Sequence, residues 1–139
     1  MGGAAEVSAL VLDTHAWVWW VSKPEKLSRR QRSAIDRTRK RGDGALILSV
    51  ISGWEVALLV QGGRLRLPVQ LEAWLDDAMA VPGLEVAPLT VPVMAAAARL
   101  AGLRDPADIL IVATALHHGA PLLTNDRRIV DSGLVQVIG

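Results

Sequence analysis

Short apolar runs separated by longer stretches of mixed polarity organise this chain. Residues 7–12 (Val-Ser-Ala-Leu-Val-Leu), Ala45–Ser49, Leu84–Leu89 and Pro121–Thr124 are brief and almost continuously hydrophobic, so each is expected to be a buried strand. Leu134–Ile138 reads as a weaker edge strand. Thr14 is placed to cap a short helix over His15–Ser22, with Trp17, Trp20 and Val21 on one face. Ser28 is expected to cap a basic helix ending near Arg41-Gly42, and Ser52 to begin one that runs through Val60 and stops at Gly62-Gly63. Pro68 is expected to open a helix carrying Leu71, Trp74, Leu75 and Met79 at helical spacing. Val91-Pro92 leads into an Ala-rich helix to Leu100, and Pro106 opens a last helix to His118, closed by Gly119.

Strands that are apolar throughout and separated by helices indicate a parallel sheet covered on both faces. The expected class is therefore α/β, with one domain over residues 1–139. In such sheets ligands bind outside the carboxyl ends of the strands. Four acids fall where that edge would be. Asp13 ends the first apolar run and Asp126 follows the fourth, while Glu55 and Asp108 lie in first helical turns. Each has a local alternative. Ser52-Gly53-Trp54-Glu55 matches a capping box, Asp105 and Asp108 suit the start of a Pro106 helix, Asp13 can cap, and Asp126 can serve a turn. Four separate coincidences at one edge carry less weight than one shared cause. Converged carboxylates repel one another unless neutralised, and the usual neutraliser is a hard divalent cation such as Mg²⁺ or Mn²⁺.

Composition narrows the chemistry further. There is no Cys, which excludes disulfides and thiolate chemistry, and His15, His117 and His118 have no zinc-site spacing. No signal peptide or membrane span is evident, so a cytoplasmic location is expected. The net charge of +1 is unevenly spread. Residues 23–41 hold nine bases and two acids, a local +7, including Arg29, Arg30 and Arg32. Such a segment beside an acidic site suits a polyanion, though a solvated helix face would look the same. Trp17, Trp19 and Trp20 are candidates for base stacking or, more simply, for core packing.

Four ordered pieces carry a family resemblance: Val11-Leu12-Asp13-Thr14-His15, Ser52-Gly53-Trp54-Glu55-Val56-Ala57, Arg104-Asp105-Pro106-Ala107-Asp108 with the apolar run after it, and Leu122-Leu123-Thr124-Asn125-Asp126. In order and spacing the chain resembles a PIN domain, and within that family a ribonuclease toxin of the VapC type. The resemblance implies a three-layer α/β/α PIN-like domain with a central, mainly parallel sheet. It implies a Mg²⁺- or Mn²⁺-dependent endoribonuclease, acting as the toxin of a toxin–antitoxin pair and hydrolysing RNA by metal-activated water. Residue by residue it assigns catalysis and metal binding to Asp13, Glu55, Asp108 and Asp126, with Thr124 in support through hydrogen bonding and Asp105 as an accessory acid. Arg29, Arg30 and Arg32 would hold RNA. A cognate antitoxin and a homodimeric assembly are the expected partners. Many such toxins carry an Arg directly after the third acid and a His just before Arg-Asp-Pro; here those places hold Ile109 and Leu103. The alternative from another class is a PIN-like RNA- or protein-binding module without catalysis.

Overall fold

The computed structural model describes residues 9–139, so Val7 and Ser8 of the first expected strand lie outside the described residues. Five strands form one parallel sheet: β1 (Ala9–Leu12), β2 (Ala45–Ser49), β3 (Leu84–Ala87), β4 (Leu122–Leu123) and β5 (Val137–Ile138), in the order β3-β2-β1-β4-β5. Seven α-helices connect them: α1 (Thr14–Ser22), α2 (Arg29–Lys40), α3 (Ile51–Gln61), α4 (Leu71–Met79), α5 (Val91–Arg99), α6 (Pro106–His117) and α7 (Arg127–Ser132). A single 3₁₀ turn spans Pro24–Lys26.

Alternation along the strands divides the core into two layers. Leu10, Leu12, Leu46, Leu48 and Leu123 face α1, α2 and α4, where they meet Trp17, Ile35 and Trp74. Val11, Ile47 and Leu122 face the other way, onto Ile111, Val112 and Ala115 of α6 and Ile129 of α7. This is the expected α/β/α sandwich, and its sheet is parallel throughout. The chain builds outward from β1 through β2 to β3 and then crosses back to place β4 on the other side of β1, so the strand order reverses at β1, and a pocket lies at its carboxyl end beside Asp13.

Several boundaries differ from the sequence reading. The cap of α1 is Asp13, which accepts from the Thr14 amide at 2.6 Å, so Thr14 is the first helical residue rather than the cap. α3 begins at Ile51, before Ser52, because Val50 already turns in the helical region while its amide bonds to Ala87 at the end of β3. Pro68 precedes α4 instead of opening it; Gln70 is the extended residue before the helix. Pro88 ends β3 at Ala87, since proline offers no ladder donor. β4 and β5 shrink to two residues each. Helix α7 is an addition to the elements expected from the sequence. The Ser28 cap of α2 forms as a full capping box with Gln31, and Gly63, at φ +72, provides the left-handed turn after α3. Gly53 faces the Met79 side chain of α4, whose terminal methyl occupies the space a Cβ would enter. Among the described residues no helix is long and apolar enough to cross a membrane.

Candidate active site

Parallel strands put all their carboxyl ends on one edge, and that geometry delivers the acids. Asp13 follows β1 directly, Thr124 and Asp126 follow β4, and Glu55 and Asp108 sit in the opening turns of α3 and α6. Asp13 and Asp108 are buried, each with 7% of its surface exposed, while Glu55 and Asp126 are half-buried and Asp105 is exposed. Carboxylate oxygens of Glu55, Asp105 and Asp108 all lie within 4.8 Å of one another. Asp105 thus belongs to the tight group, although it also caps α6 by accepting from Ala107 N at 2.9 Å and Asp108 N at 3.4 Å.

Asp13 is fixed separately. Its Oδ1 accepts from Thr14 N, and its Oδ2 accepts from Thr124 Oγ1 at 2.5 Å. The same Thr124 oxygen accepts from Asp126 N at 3.0 Å, tying the β4–α7 turn to Asp13. Asp126 caps α7 through Arg128 N, with the Arg128 guanidinium 3.8 Å away. Glu55 takes no part in a capping box. Ser52 lies inside α3, and Glu55 Oε1 instead accepts from Thr14 Oγ1 at 2.5 Å, with Ser52 Oγ 2.8 Å from the same hydroxyl. Thr14 therefore joins the first acid to the second.

The electrostatics follow from burial and crowding. Burial raises the Asp13 carboxyl above its ordinary range, against the lowering effect of its Thr124 and Thr14 hydrogen bonds. Burial raises Glu55, opposed by Thr14 and reinforced by the charges of Asp13 and Asp105. Asp108 is pushed up to about 7, by burial first and then by the charges of Asp105, Asp126, Asp13 and Glu55. Among the described residues no Lys or Arg forms an ion pair with Asp13, Glu55, Asp105 or Asp108. Hard oxygen donors crowded together, with no Lys or Arg paired to Asp13, Glu55, Asp105 or Asp108, fit a divalent cation.

Two pockets flank the cluster. One, of about 180 Å³, is lined by Asp13, His15, Ala16, Trp19, Asn125 and Asp126. The other, of about 390 Å³, lies beside Asp105 and Asp108 and includes Arg104 and Arg128.

The PIN domain family profile matches residues 10–132, which takes in every acid just described. The chain belongs to the PIN domain family. It is 34% identical over 124 residues to Ribonuclease VapC22 of Mycobacterium tuberculosis (strain ATCC 25618 / H37Rv), covering 88% of this chain and 91% of that one. Among solved structures it resembles VapBC2 from Rickettsia felis bound to a DNA fragment from its promoter, with a TM-score of 0.66 and 17% identity over 94% of this chain and 97% of that one. DNA-bound VapBC from Salmonella typhimurium gives a TM-score of 0.63 and 18% identity, over 94% and 96%. These distant structural likenesses concern the fold.

Two residues of this PIN domain site escaped sequence reasoning: Thr14, which bridges Asp13 and Glu55, and Ser52, which packs its hydroxyl on Thr14. The available signal is a hydroxyl directly after a strand-end acid, which in the sequence alone reads as a helix cap. The basic segment divides. Arg29, Arg30 and Arg32 are exposed at the start of α2, a turn tied to the carboxyl edge by Ser28 Oγ donating to Gly139 O and Gln31 Nε2 donating to Asn125 Oδ1. Arg39, toward the other end of α2, donates to Pro82 O and lies over the Trp20 ring.

Proposed function

We propose that this PIN domain is a divalent-metal endoribonuclease, the toxin of a toxin–antitoxin pair, acting in the cytoplasm. The observation that carries the reading is the group of crowded, mutually repelling carboxylates around the buried Asp108, in a chain 34% identical to a named ribonuclease. A binding module gains nothing from carboxylates crowded against one another around a buried Asp108, whose carboxyl burial and then neighbouring charge push up to about 7.

In this reading Glu55, Asp105 and Asp108 hold a Mg²⁺ or Mn²⁺ ion, with Asp13 and Asp126 completing the acidic set. Bound there, such an ion supplies Lewis-acid polarisation of a phosphate and a lowered pKa for water. The side chains contribute position. Thr124 and the Thr14 amide fix both oxygens of Asp13, and the Thr14 hydroxyl fixes Glu55. Arg29, Arg30 and Arg32 hold the RNA backbone. The likeness to VapBC complexes supports an antitoxin partner.

The test is Glu55→Gln. With no capping box at stake, the amide keeps its Thr14 partner and the fold stays intact, while a charged oxygen donor is lost. Cleavage of RNA in Mg²⁺ or Mn²⁺ should fall by more than about a hundredfold, since even groups that only orient metal ligands change affinity or activity by ~10–100-fold. Cleavage at the parental rate would remove Glu55 from the chemistry.

A further inference from the structure

The three tryptophans of α1 have different surroundings. Trp17 is fully buried, donates from Nε1 to Ala78 O at 3.0 Å and meets Trp74 edge-on. Trp20 packs against the core under the Arg39 guanidinium. Trp19 lines the small pocket beside Asp13. Its ring centroid is 6.0 Å from that of His15 with the planes inclined at 58°, so the two rings form an angled wall instead of covering each other. Lys26 Nζ lies 5.8 Å from the Trp19 centroid and helps to hold the ring.

Across the pocket stands Asn125, and its amide orientation is set by a chain of bonds with only one solution. Gln31 Oε1 accepts from Ser28 N at 3.0 Å, so the other terminal atom of Gln31 is its nitrogen. That nitrogen donates to the Ile138 carbonyl at 3.2 Å and to Asn125 at 3.1 Å. Asn125 must therefore present its oxygen to Gln31, which leaves its NH₂ as the group available to a guest. Gln31 is itself fully buried and locked in the α2 capping box, so the amide is held before any ligand arrives.

We propose that this pocket is a nucleobase subsite: Trp19 stacks on one base of the RNA next to the cut, His15 closes the angle against that base, and Asn125 donates to an acceptor on the base's edge. At about 180 Å³ the pocket is smaller than the roughly 300–1,000 Å³ of sites for drug-sized ligands, and it suits one flat ring. Stacking is tolerant of sequence, whereas a fixed donor favours bases that present an acceptor there. The proposal rests on the nuclease reading for its substrate class.

The experiment uses the full chain with oligoribonucleotides that are intact or abasic at each position flanking the cut, measured for cleavage in Mn²⁺ and for binding in EDTA. For the parent protein, one abasic position should raise KM and weaken binding about ten- to hundredfold, the range expected for one stacked base. Trp19→Ala and Asn125→Leu should raise KM for intact RNA with little change in kcat, and the abasic penalty should shrink in both. Asn125 is exposed, so its variant reads the pocket even if Trp19→Ala disturbs the packing of α1. Parent cleavage indifferent to every abasic position overturns the subsite and leaves the nuclease reading intact. Strong discrimination in binding with no cleavage keeps the subsite and removes the nuclease reading. If the variants lose affinity for an antitoxin while handling intact and abasic RNA alike, the pocket belongs to a protein partner and the proposal fails.

Discussion

The two edges of the sheet use polar side chains in opposite ways. Among the described residues nine polar or charged side chains are buried. Seven of them, Asp13, Thr14, Gln31, Ser49, Ser52, Asp108 and Thr124, gather at the carboxyl edge. The other two, Thr38 and Thr114, lie within helices and donate to their own i−4 carbonyls, Ala34 and Leu110. A buried hydroxyl that satisfies itself locally needs nothing from its surroundings. At the carboxyl edge Asp13, Thr14, Gln31, Ser52 and Thr124 bond across long distances in sequence, and Asp108 is left crowded by like charge. One part of the molecule is organised for stability, while the other gives up stability to keep a charged crevice.

The contrast can be broken most forcefully from the apolar side. Leu48 is fully buried in β2, and Leu48→Ala should lower unfolding stability by about 2–5 kcal/mol. Urea denaturation should return the same loss at pH 5 and pH 8, with or without Mg²⁺. A loss that depended on pH or metal would mean that core and crevice are not separable.

A smaller effect of opposite sign is expected at Asp108. Its carboxyl titrates near 3.8 when unfolded and about 7 when folded, so the native state binds the proton more tightly. Its contribution is fully favourable below pH ~4 and is lost as pH rises toward and through 7. Asp13 and Glu55 are shifted in the same direction. Metal-free protein should therefore lose stability across that window. Asp108→Asn should be more stable than the parent by roughly 1–3 kcal/mol at pH 8, with no gain at pH 4. Mg²⁺ or Mn²⁺ should raise the parent's melting temperature at pH 8 and do much less for the variant. Identical pH profiles for the two proteins would show that Asp108 does not feel its neighbours.

The smallest effect separates the ends of α2. Replacing Arg29, Arg30 and Arg32 with Gln should flatten the log–log salt dependence of RNA binding by roughly 0.7 per lost phosphate contact. The same change at Arg37, Arg39 and Lys40 should leave the slope alone. Equal flattening by both triple variants would make the segment a diffuse basic surface rather than one with a working end.

Much of this organisation is legible in local sequence, where local rules decide it. Ser28 with Gln31 reads as a capping box and forms one; Asp105-Pro106 reads as a helix start and is one. Asp13 and Asp126 follow apolar runs, and parallel strands carry both to one edge. Ser52 to Glu55 has the same local signature as Ser28 to Gln31, yet a tertiary contact prevails: Val50 bonds to β3, α3 starts early, and Thr14 takes both side chains. Helix α7 is six residues long and buries only Ile129, too little for a periodic signal. Nothing in the spacing of Trp17, Trp19 and Trp20 tells which ring meets the core and which the crevice.

The Asp13–Thr124 hydrogen bond joins residues 111 positions apart, and this sets a timetable for the growing chain. Synthesis delivers β1, β2 and the Thr14 link to Glu55 early. One flank of β1 then remains an open strand edge until Leu122 and Leu123 arrive to pair with it. Until residues 122–126 have been made, Asp13 lacks the hydroxyl that holds one of its oxygens, and Asp126 does not yet exist. A nascent chain stalled before that point carries only an incomplete acidic centre, beside an edge open to mispairing.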